Sequence, residues 1–598
     1  MIRLSDYVID FLAEKGIRDV FLVSGGMIMY LLDSVGKNKR INYISNNHEQ
    51  ASTIGAESYA RVKNAIGVSL VTSGPGSTNA ITGVAGAWVD SIPTITISGQ
   101  IKKELIANYS KMRQLGPQEI NIIDIIRPIT KYAITIMDPN NIKYELEKAF
   151  FYATSGRPGP VWVNIPLDIQ GAMISEKRLR SFTPPKTNNK SKSKLYKQVK
   201  KTIELLSDSQ RPVLIAGNGI RLSHGEKVFT RLIDTLKIPL LVHINGLDLI
   251  PYNHPYFMGQ FGPSGYRRGN LVLQNSDFVL SIGASLNVAS TGFNFEGFAP
   301  KAKKVMINID KGEFTKPTIK IDLGIESDAK LFIEEFMKQI KNIRRSQTSK
   351  WLEICKLWIK KYPTIIEEFT KDEYHVNSYV FFDKLSDILS TQDILTTGIG
   401  LDVVSFYQAF RVKKNQRAFV NKNFGGMGWC IPAAIGTCVA NNRNRVVCVT
   451  GDGSFQFNIQ ELSTISYYDL PIKLFVFNNK GYKTIRDTQT SLFDGRFVGS
   501  NETSGVKNPN FKLIASAYDL TYGYIKNNSE IAEKVKEALE VKGPTLYEVN
   551  VAFDQMRAPR ASSYRRGDGK LESRPLEDMF PFLSREEFYE NMHMFDKK

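Results

Sequence analysis

GDGSFQFNIQELSTISYYDLPIKLFVFNN, residues 451–479, is the stretch on which the reading of this chain turns. RVVCVT (445–450), just before it, is short and rich in β-branched residues, as expected of a strand covered on both faces. The glycines flanking Asp452 let the backbone turn tightly and approach a ligand. SFQFNIQELSTISYY (454–468) then carries apolar residues at helical spacing, IKLFVF (472–477) reads as the next strand, and Asn478 and Asn479 close it. Crossovers between parallel strands are right-handed, so Asp452 and Asn479 are predicted to finish side by side at the carboxyl edge of one sheet, where such sheets bind ligands. A carboxylate with one amide oxygen is too small a set for a dedicated protein cage, but it suits Mg²⁺, which completes an octahedral shell with phosphate and water. The backbone amides of Gly453 and Ser454 at the helix start would hold a diphosphate beside the ion. GDG recurs at 567–569, where no strand is predicted before it and no NN follows, and that copy reads as a turn.

Outward from this stretch the pattern repeats. DILTTG, RVVCVTG, IKLFVFN and PTLYEVNV are the strands of a block predicted to span 350–552. DVFLVS, GVSLVTS, PTITISG and GPVWVNIP belong to a first block, 1–182, and PVLIAGNG, IPLLVHI, FVLSIGA and KVMINID to a middle one, 195–340. Strands alternating with helical spacing predict parallel sheets wrapped by helices, so the fold class is α/β, with three doubly wound parallel-sheet domains. TPPKTNNKSKSK (183–194) and NIRRSQTSK (342–350) read as linkers, and 553–598 as a tail packed on the body.

A chain of 598 residues with 42% hydrophobic residues has the length for several cores and for an enzyme. It has no apolar run long enough to cross a bilayer, and MIRLSDYVIDFLAEKG lacks the continuous apolar segment of a signal peptide. A cytoplasmic protein with no membrane partner is therefore expected. The formal charge of +18 raises the possibility of nucleic acid, but the lysines are dispersed and the densest basic stretches, near 186 and at 344–345, fall in the expected linkers. A solvated basic surface is the better reading, with no nucleic-acid partner. Cys355, Cys430, Cys438 and Cys448 form no CxxC pair and are expected to be reduced and buried.

GDG followed by NN resembles the thiamine diphosphate-binding motif of the enzymes that use that cofactor. NNHEQASTIGAESYAR (46–61) and VTSGPGSTNAITGVAGAWVDSIPTITISGQ (71–100) are similar to the N-terminal domain of the acetolactate synthase group in that family. The resemblance implies a pyrimidine-binding first domain, a central domain and a diphosphate-binding third domain. It implies Asp452, Asn479 and the Gly481 carbonyl as Mg²⁺ ligands, and Ser24, Gly25, Gly26, Gly398, Gly451, Gly453 and Ser454 as cofactor contacts. Glu49 falls on the activating glutamate, whose carboxylate, bonded to the pyrimidine N1′, favours the tautomer able to remove the thiazolium C2 proton. NFGGMGWCIPAAIG (423–436) resembles the segment that grips the pyrimidine: Gly425 carbonyl would accept from its amino group, and Met427 would wedge between the two rings. RQLGPQEINIIDIIRPITKYA (113–133) places Gln118 on the active-site glutamine, with Lys131 also matching. In the family the glutamate and the diphosphate site meet across two subunits, which implies a homodimer or homotetramer.

The activity implied is decarboxylation of a 2-oxo acid, with pyruvate the expected donor, and transfer of the acyl carbanion to a carbonyl acceptor. No adjacent His pair is present, which weighs against a simple decarboxylase. Pro117 stands where acetolactate synthases carry a phenylalanine, and Thr488 where they carry a tryptophan that shapes acceptor choice. Both changes remove aromatic bulk, so a larger acceptor such as a nucleotide-linked keto sugar is expected, with acetolactate synthesis as the alternative. TTGIGLDV (396–403) offers Leu401 and Asp402 where the family sets Gln and His near the diphosphate. PVLIAGNG resembles a nucleotide-binding turn, but GASLN replaces the arginine-bearing stretch that contacts FAD in flavin-containing relatives. A structural middle domain is expected over bound FAD. SRPLEDMFPFLSREEFYENM is expected to close over the site as family tails do, although its spacing equally suits a surface helix.

Overall fold

A computed structural model describes residues 1–185, 191–340 and 349–594. The central parts of both expected linkers, with the basic pair at 344–345, lie outside the described residues.

Each domain is built on a six-stranded parallel sheet. In the first, β1 (Asp19–Leu22), β2 (Asn42–Ser45), β3 (Gly67–Val71), β4 (Thr94–Gln100), β5 (Tyr132–Thr135) and β6 (Val161–Pro166) lie in the order β2-β1-β3-β4-β6-β5. The second domain comprises β7 (Pro212–Ala216), β8 (Leu240–Val242), β9 (Phe257–Gln260), β10 (Phe278–Ile282), β11 (Lys303–Asn308) and β12 (Leu323–Glu326), in the order β9-β8-β7-β10-β11-β12. The third holds β13 (Ile394–Thr397), β14 (Ala418–Phe419), β15 (Val446–Gly451), β16 (Ile472–Asn478), β17 (Thr521–Ile525) and β18 (Thr545–Asn550), in the order β14-β13-β15-β16-β18-β17. The outer two domains thus share one topology, whose strand order reverses beside the first and third strands of each sheet. At such a switch point the loops diverge and leave a crevice for a ligand.

Each internal strand matches an apolar run singled out above, buried on both faces by flanking helices. Domain one meets domain three through α1 (Glu49–Lys63) and α5 (Cys430–Ala440); between them in sequence lie α2 (Pro75–Asn79), α3 (Ile81–Asp90) and α4 (Leu401–Ala409). The α1–α5 approach requires small residues: a Cβ on Gly436 would stand 2.0 Å from the Gly55 carbonyl oxygen. Burying a charge costs several kcal/mol unless it is paired, and here Arg61 is held by Glu57 (2.6 Å) and Asp90 (2.5 Å), while the Trp429 indole donates to Glu57 at 2.8 Å.

The segment 454–468 is helical but broken. It divides into α6 (Asp452–Phe455), a 3₁₀ turn at Gln456–Asn458 and a helix at Glu461–Tyr467. Within the 3₁₀ turn the Asn458 side chain donates to the Gly428 carbonyl (2.8 Å), which ties the turn to the loop before α5. The second GDG is a turn, as expected, but a short strand does precede it: Ser563–Arg565 pairs antiparallel with Leu571–Ser573, and Gly569 takes φ +82° at the tip. The helix at Arg585–His593 packs on the one at Ser349–Lys361, where Trp358 donates to Asn591 (2.8 Å). It is the start of the tail, not this helix, that touches α7 (Lys483–Leu492): Arg557 pairs with Asp487 at 2.6 Å. All four cysteines are buried and unbridged. Among the described residues no helix is long and apolar enough to cross a membrane.

Candidate active site

In domain three the polar groups collect where β13, β15 and β16 end. Register pairs Gly451 with Phe477, which sets Asp452 and Asn479 at adjacent strand ends, as the crossover argument requires. Asp452 is buried. Its Oδ2 accepts from Gly481 N–H (3.0 Å) and from the Asn508 amide (2.7 Å), and its Oδ1 from Gly453 N–H (2.6 Å). Burial pushes its pKa up from the ordinary aspartate value, against these donors and the charge of Arg486. Asn479 is also buried, and its Oδ1 has no hydrogen-bond partner. An amide oxygen left so costs about 1–3 kcal/mol. Its neighbour Asn478 differs, since its amide donates to Glu548 (2.7 Å).

Gly481 takes φ +120°, and a Cβ there would stand 2.4 Å from the Ser500 carbonyl oxygen. A Cβ on Gly453 would meet the Tyr482 ring at 2.1 Å. Both glycines are thus required by the protein's own packing, whereas a Cβ on Gly451 would meet nothing within 4 Å, so the open side of the turn lies there. Ser454 accepts from Gly428 N–H (2.9 Å), which ties the GGMG loop, with Gly425 at φ +73° and Met427 half-buried, to the GDG turn. Gly398 ends β13 beside Asp402: a Cβ on it would lie 2.5 Å from Asp402 Oδ2. Asp402 is buried; burial raises its pKa to about 7 against the pull of the backbone N–H groups of Val403, Asp402 and Gly451, with Asp452 adding to the rise.

In domain one the predicted residues also meet. Glu49 is the first residue of α1, buried, with Oε2 accepting from Asn79 (3.0 Å). A Cβ on Gly76 would approach Glu49 Oε1 at 3.1 Å, so the GPG turn closes directly over the carboxylate. Gly74 in that turn has φ +60° and lies against the backbone of Gln118, itself at φ +57° with an exposed side chain. The Ser24–Gly26 loop leans on Thr72, whose hydroxyl accepts from Met27 N–H (3.3 Å). Lys131 lies elsewhere. Its ammonium donates to the Ser155 carbonyl, and burial lowers its pKa to about 8.

Glu119 was missed. Its carboxylate accepts from the N–H groups of Ala107, Leu115 (2.8 Å) and Gly116 (3.1 Å), shaping the loop that presents Gln118. Burial opposes ionisation, yet these donors hold its pKa below the ordinary glutamate value. Glu119→Gln would turn an amide donor toward backbone donors at a cost of about 1–3 kcal/mol. Faster tryptic cleavage at Lys111 and Arg113 is expected, read by limited proteolysis. Asn79 and Asn508 were missed as well; each sits beside a proline-containing turn, GPGSTN and KNPN, and that local pattern was the available signal.

Among the described residues no group of three or more His, Cys, Asp or Glu side chains could hold a metal ion. The sparse set of Asp452, Asn479 and the Gly481 carbonyl suits an ion that brings phosphate and water with it. With one orphaned amide oxygen and open space beside Gly451, these residues fit Mg²⁺ and a diphosphate. FAD fits less well. The cavity at the domain-two sheet edge is about 250 Å³, and its lining arginine, Arg157, is committed to Asp310 (3.1 Å) and Glu313 (2.8 Å). His243, also in the lining, has its pKa lowered to about 4 by burial, with the charges of Lys316 and Lys422 adding to the fall.

Three family descriptions match in sequence order: thiamine pyrophosphate enzyme, N-terminal TPP binding domain, over 2–125; central domain, over 199–336; and C-terminal TPP binding domain, over 398–549. The acetolactate synthase large subunit of Cyanidium caldarium is 30% identical over 559 residues, covering 92% of this chain and 93% of that one. The probable acetolactate synthase large subunit of Methanocaldococcus jannaschii is 31% identical, covering 91% of each chain. The acetolactate synthase isozyme 3 large subunit of Escherichia coli K12 is 30% identical, covering 93% and 95%. With its three α/β sheets, its paired strand ends and these relatives, the chain belongs to the thiamine diphosphate-dependent enzymes, in their acetolactate synthase-like group.

Proposed function

We propose that the protein decarboxylates a 2-oxo acid, pyruvate being the simplest, and joins the acyl unit to a second 2-oxo acid, in the manner of the acetolactate synthases it is similar to. The observation that carries this reading is the buried, unpartnered Asn479 Oδ1 beside Asp452. Thiamine diphosphate, when bound, supplies a thiazolium carbon able to add to the keto group and take up the electrons released with carbon dioxide. Asp452, Asn479 and the Gly481 carbonyl would hold Mg²⁺, and Ser454 with the glycines of the GDG turn would face the diphosphate. Glu49 would accept the proton-sharing hydrogen bond of the pyrimidine, with Asn79 fixing its other oxygen. Gln118, exposed on its loop, would meet the substrate.

Among the described residues no hydrogen bond joins Glu49 or Asn79 to Asp452, Asn479 or Ser454. Each half-site is flanked by exposed apolar side chains, Met29 and Leu115 on one, Phe457 and Ile485 on the other. We read these as faces covered by a second copy of the chain, so that Glu49 of one subunit serves the metal half-site of another. A larger, nucleotide-linked keto sugar acceptor is the second reading, favoured by the exposed Thr488 on α7 and the exposed Pro117. Incubation with thiamine diphosphate, Mg²⁺ and labelled pyruvate, with and without a keto sugar nucleotide, separates the two. Acetolactate as the labelled product supports the first, a branched sugar the second, and unchanged pyruvate overturns both.

A further inference from the structure

We infer that Asn508 sets which cation the site accepts, holding Asp452 to single-oxygen coordination and so favouring Mg²⁺ over Ca²⁺. The inference rests on the metal site proposed above. A carboxylate offers about four lone-pair positions. At Asp452 the Gly481 N–H and the Asn508 amide take both on Oδ2, and the Gly453 N–H takes one on Oδ1. One position remains, on Oδ1. A cation can therefore be met by one oxygen only, unless a donor is displaced.

Asn508 is the donor whose loss would change this without altering the strand ends. The Gly481 N–H belongs to the turn that carries a proposed ligand, and the Gly453 N–H to the residue next to Asp452. Asn508 reaches in from a separate loop, followed by Pro509, and is itself fixed. Its amide bridges Asp452 Oδ2 (2.7 Å) and Asn478 Oδ1 (3.1 Å), and its oxygen accepts from Gln456 (3.4 Å). These partners also decide the amide orientation, since a flipped oxygen would face two acceptors. Asn508 is thus a positioning residue, acting on the ion through Asp452.

The two ions differ in what they tolerate. Mg²⁺ takes six oxygens at short, near-octahedral distances and binds carboxylates through one oxygen, whereas Ca²⁺ takes six to eight and readily accepts a carboxylate through both. With Oδ2 occupied, the site offers what Mg²⁺ needs and withholds what Ca²⁺ gains most from. Asn508→Ala frees one position on Oδ2.

The test titrates Mg²⁺ and Ca²⁺ separately into metal-free full-length protein with saturating thiamine diphosphate, following tryptophan fluorescence or heat. In Asn508→Ala the ratio of Ca²⁺ to Mg²⁺ Kd is expected to fall about tenfold, within the range by which outer partners of a metal ligand act. Asn508→Gln, which retains an amide donor, is expected to recover at least part of the parent ratio. Should Asn508→Ala fail to fold, Asn508→Ser carries the same comparison. An unchanged ratio, including an equal loss for both ions, overturns the inference and leaves the proposed function standing. A parent protein that binds neither ion with the cofactor overturns both.

Discussion

Glu49→Gln is expected to lower 2-oxo acid decarboxylation by about 10²–10⁴-fold, the usual worth of a positioned acid–base group. The side chain is buried at the head of α1 with the GPG turn closed over it, so an isosteric replacement fits where a larger one would not. Glutamine can keep the Asn79 hydrogen bond through its oxygen, which leaves the scaffold intact. What it removes is the anionic oxygen able to share a proton. Glutamine would present an amide there, and an amide donates where the glutamate accepts. Thermal midpoint and Mg²⁺ affinity are therefore expected to stay near the parent values, while steady-state pyruvate consumption collapses. A Glu49→Gln protein that consumes pyruvate at the parent rate would show that Glu49 is not the activating group.

Asp402→Asn is expected to stabilise the cofactor-free, metal-free protein above neutral pH. Asp402 is buried, and that burial, with Asp452 nearby, outweighs the backbone N–H groups of Val403, Asp402 and Gly451 and raises its pKa to about 7. In the unfolded chain it titrates near 3.8. Between those values the folded protein keeps a proton that the unfolded chain has lost, so stability falls as pH rises through that window and levels off above it. At ~1.4 kcal/mol for each pH unit, the whole window is worth on the order of 4 kcal/mol. Asparagine does not ionise, so the variant escapes the loss. Thermal midpoints of parent and variant should converge near pH 4 and separate by pH 8, with the variant higher. Parallel profiles would show that Asp402 is ionised in the folded protein throughout.

The fold was legible unevenly, and the boundary is physical. Every internal strand, such as GVSLV at β3 or VVCVT at β15, is covered on both faces and reads as an apolar run. The strands passed over are the edge strands β2, β5, β9, β12, β14 and β17. NYIS at β2 is largely exposed and TYGYI at β17 only partly buried, so neither shows the continuous apolar run of an internal strand. FMGQ at β9 and AF at β14 are buried, but one contains a glycine and the other spans two residues, too short for a period to show.

At the site, residues joined by one crossover were readable, because strand, turn and helix in a row fix where the ends lie. Asp452 with Asn479 is of that kind, whereas Glu49 was found through the resemblance of its segment to the family. Asn508 and Glu119 act from loops whose approach to their partners no local spacing encodes. The relatives moved the acceptor reading toward a second 2-oxo acid, because loss of aromatic bulk at Pro117 and Thr488 describes room and not what fills it.

By itself the order of residues determined the α/β class, the three sheets, the paired strand ends and the chemistry of the groups placed there, since each follows from burial of apolar runs and the handedness of a crossover. Only the tertiary structure decided which lone pairs of Asp452 remain open, that Asn479 Oδ1 is left without a partner, and that Asp402 is buried deeply enough for its pKa to rise. Those depend on side chains that meet across tens of residues, and hydrogen bonding between them is set by packing distance rather than by position in the chain.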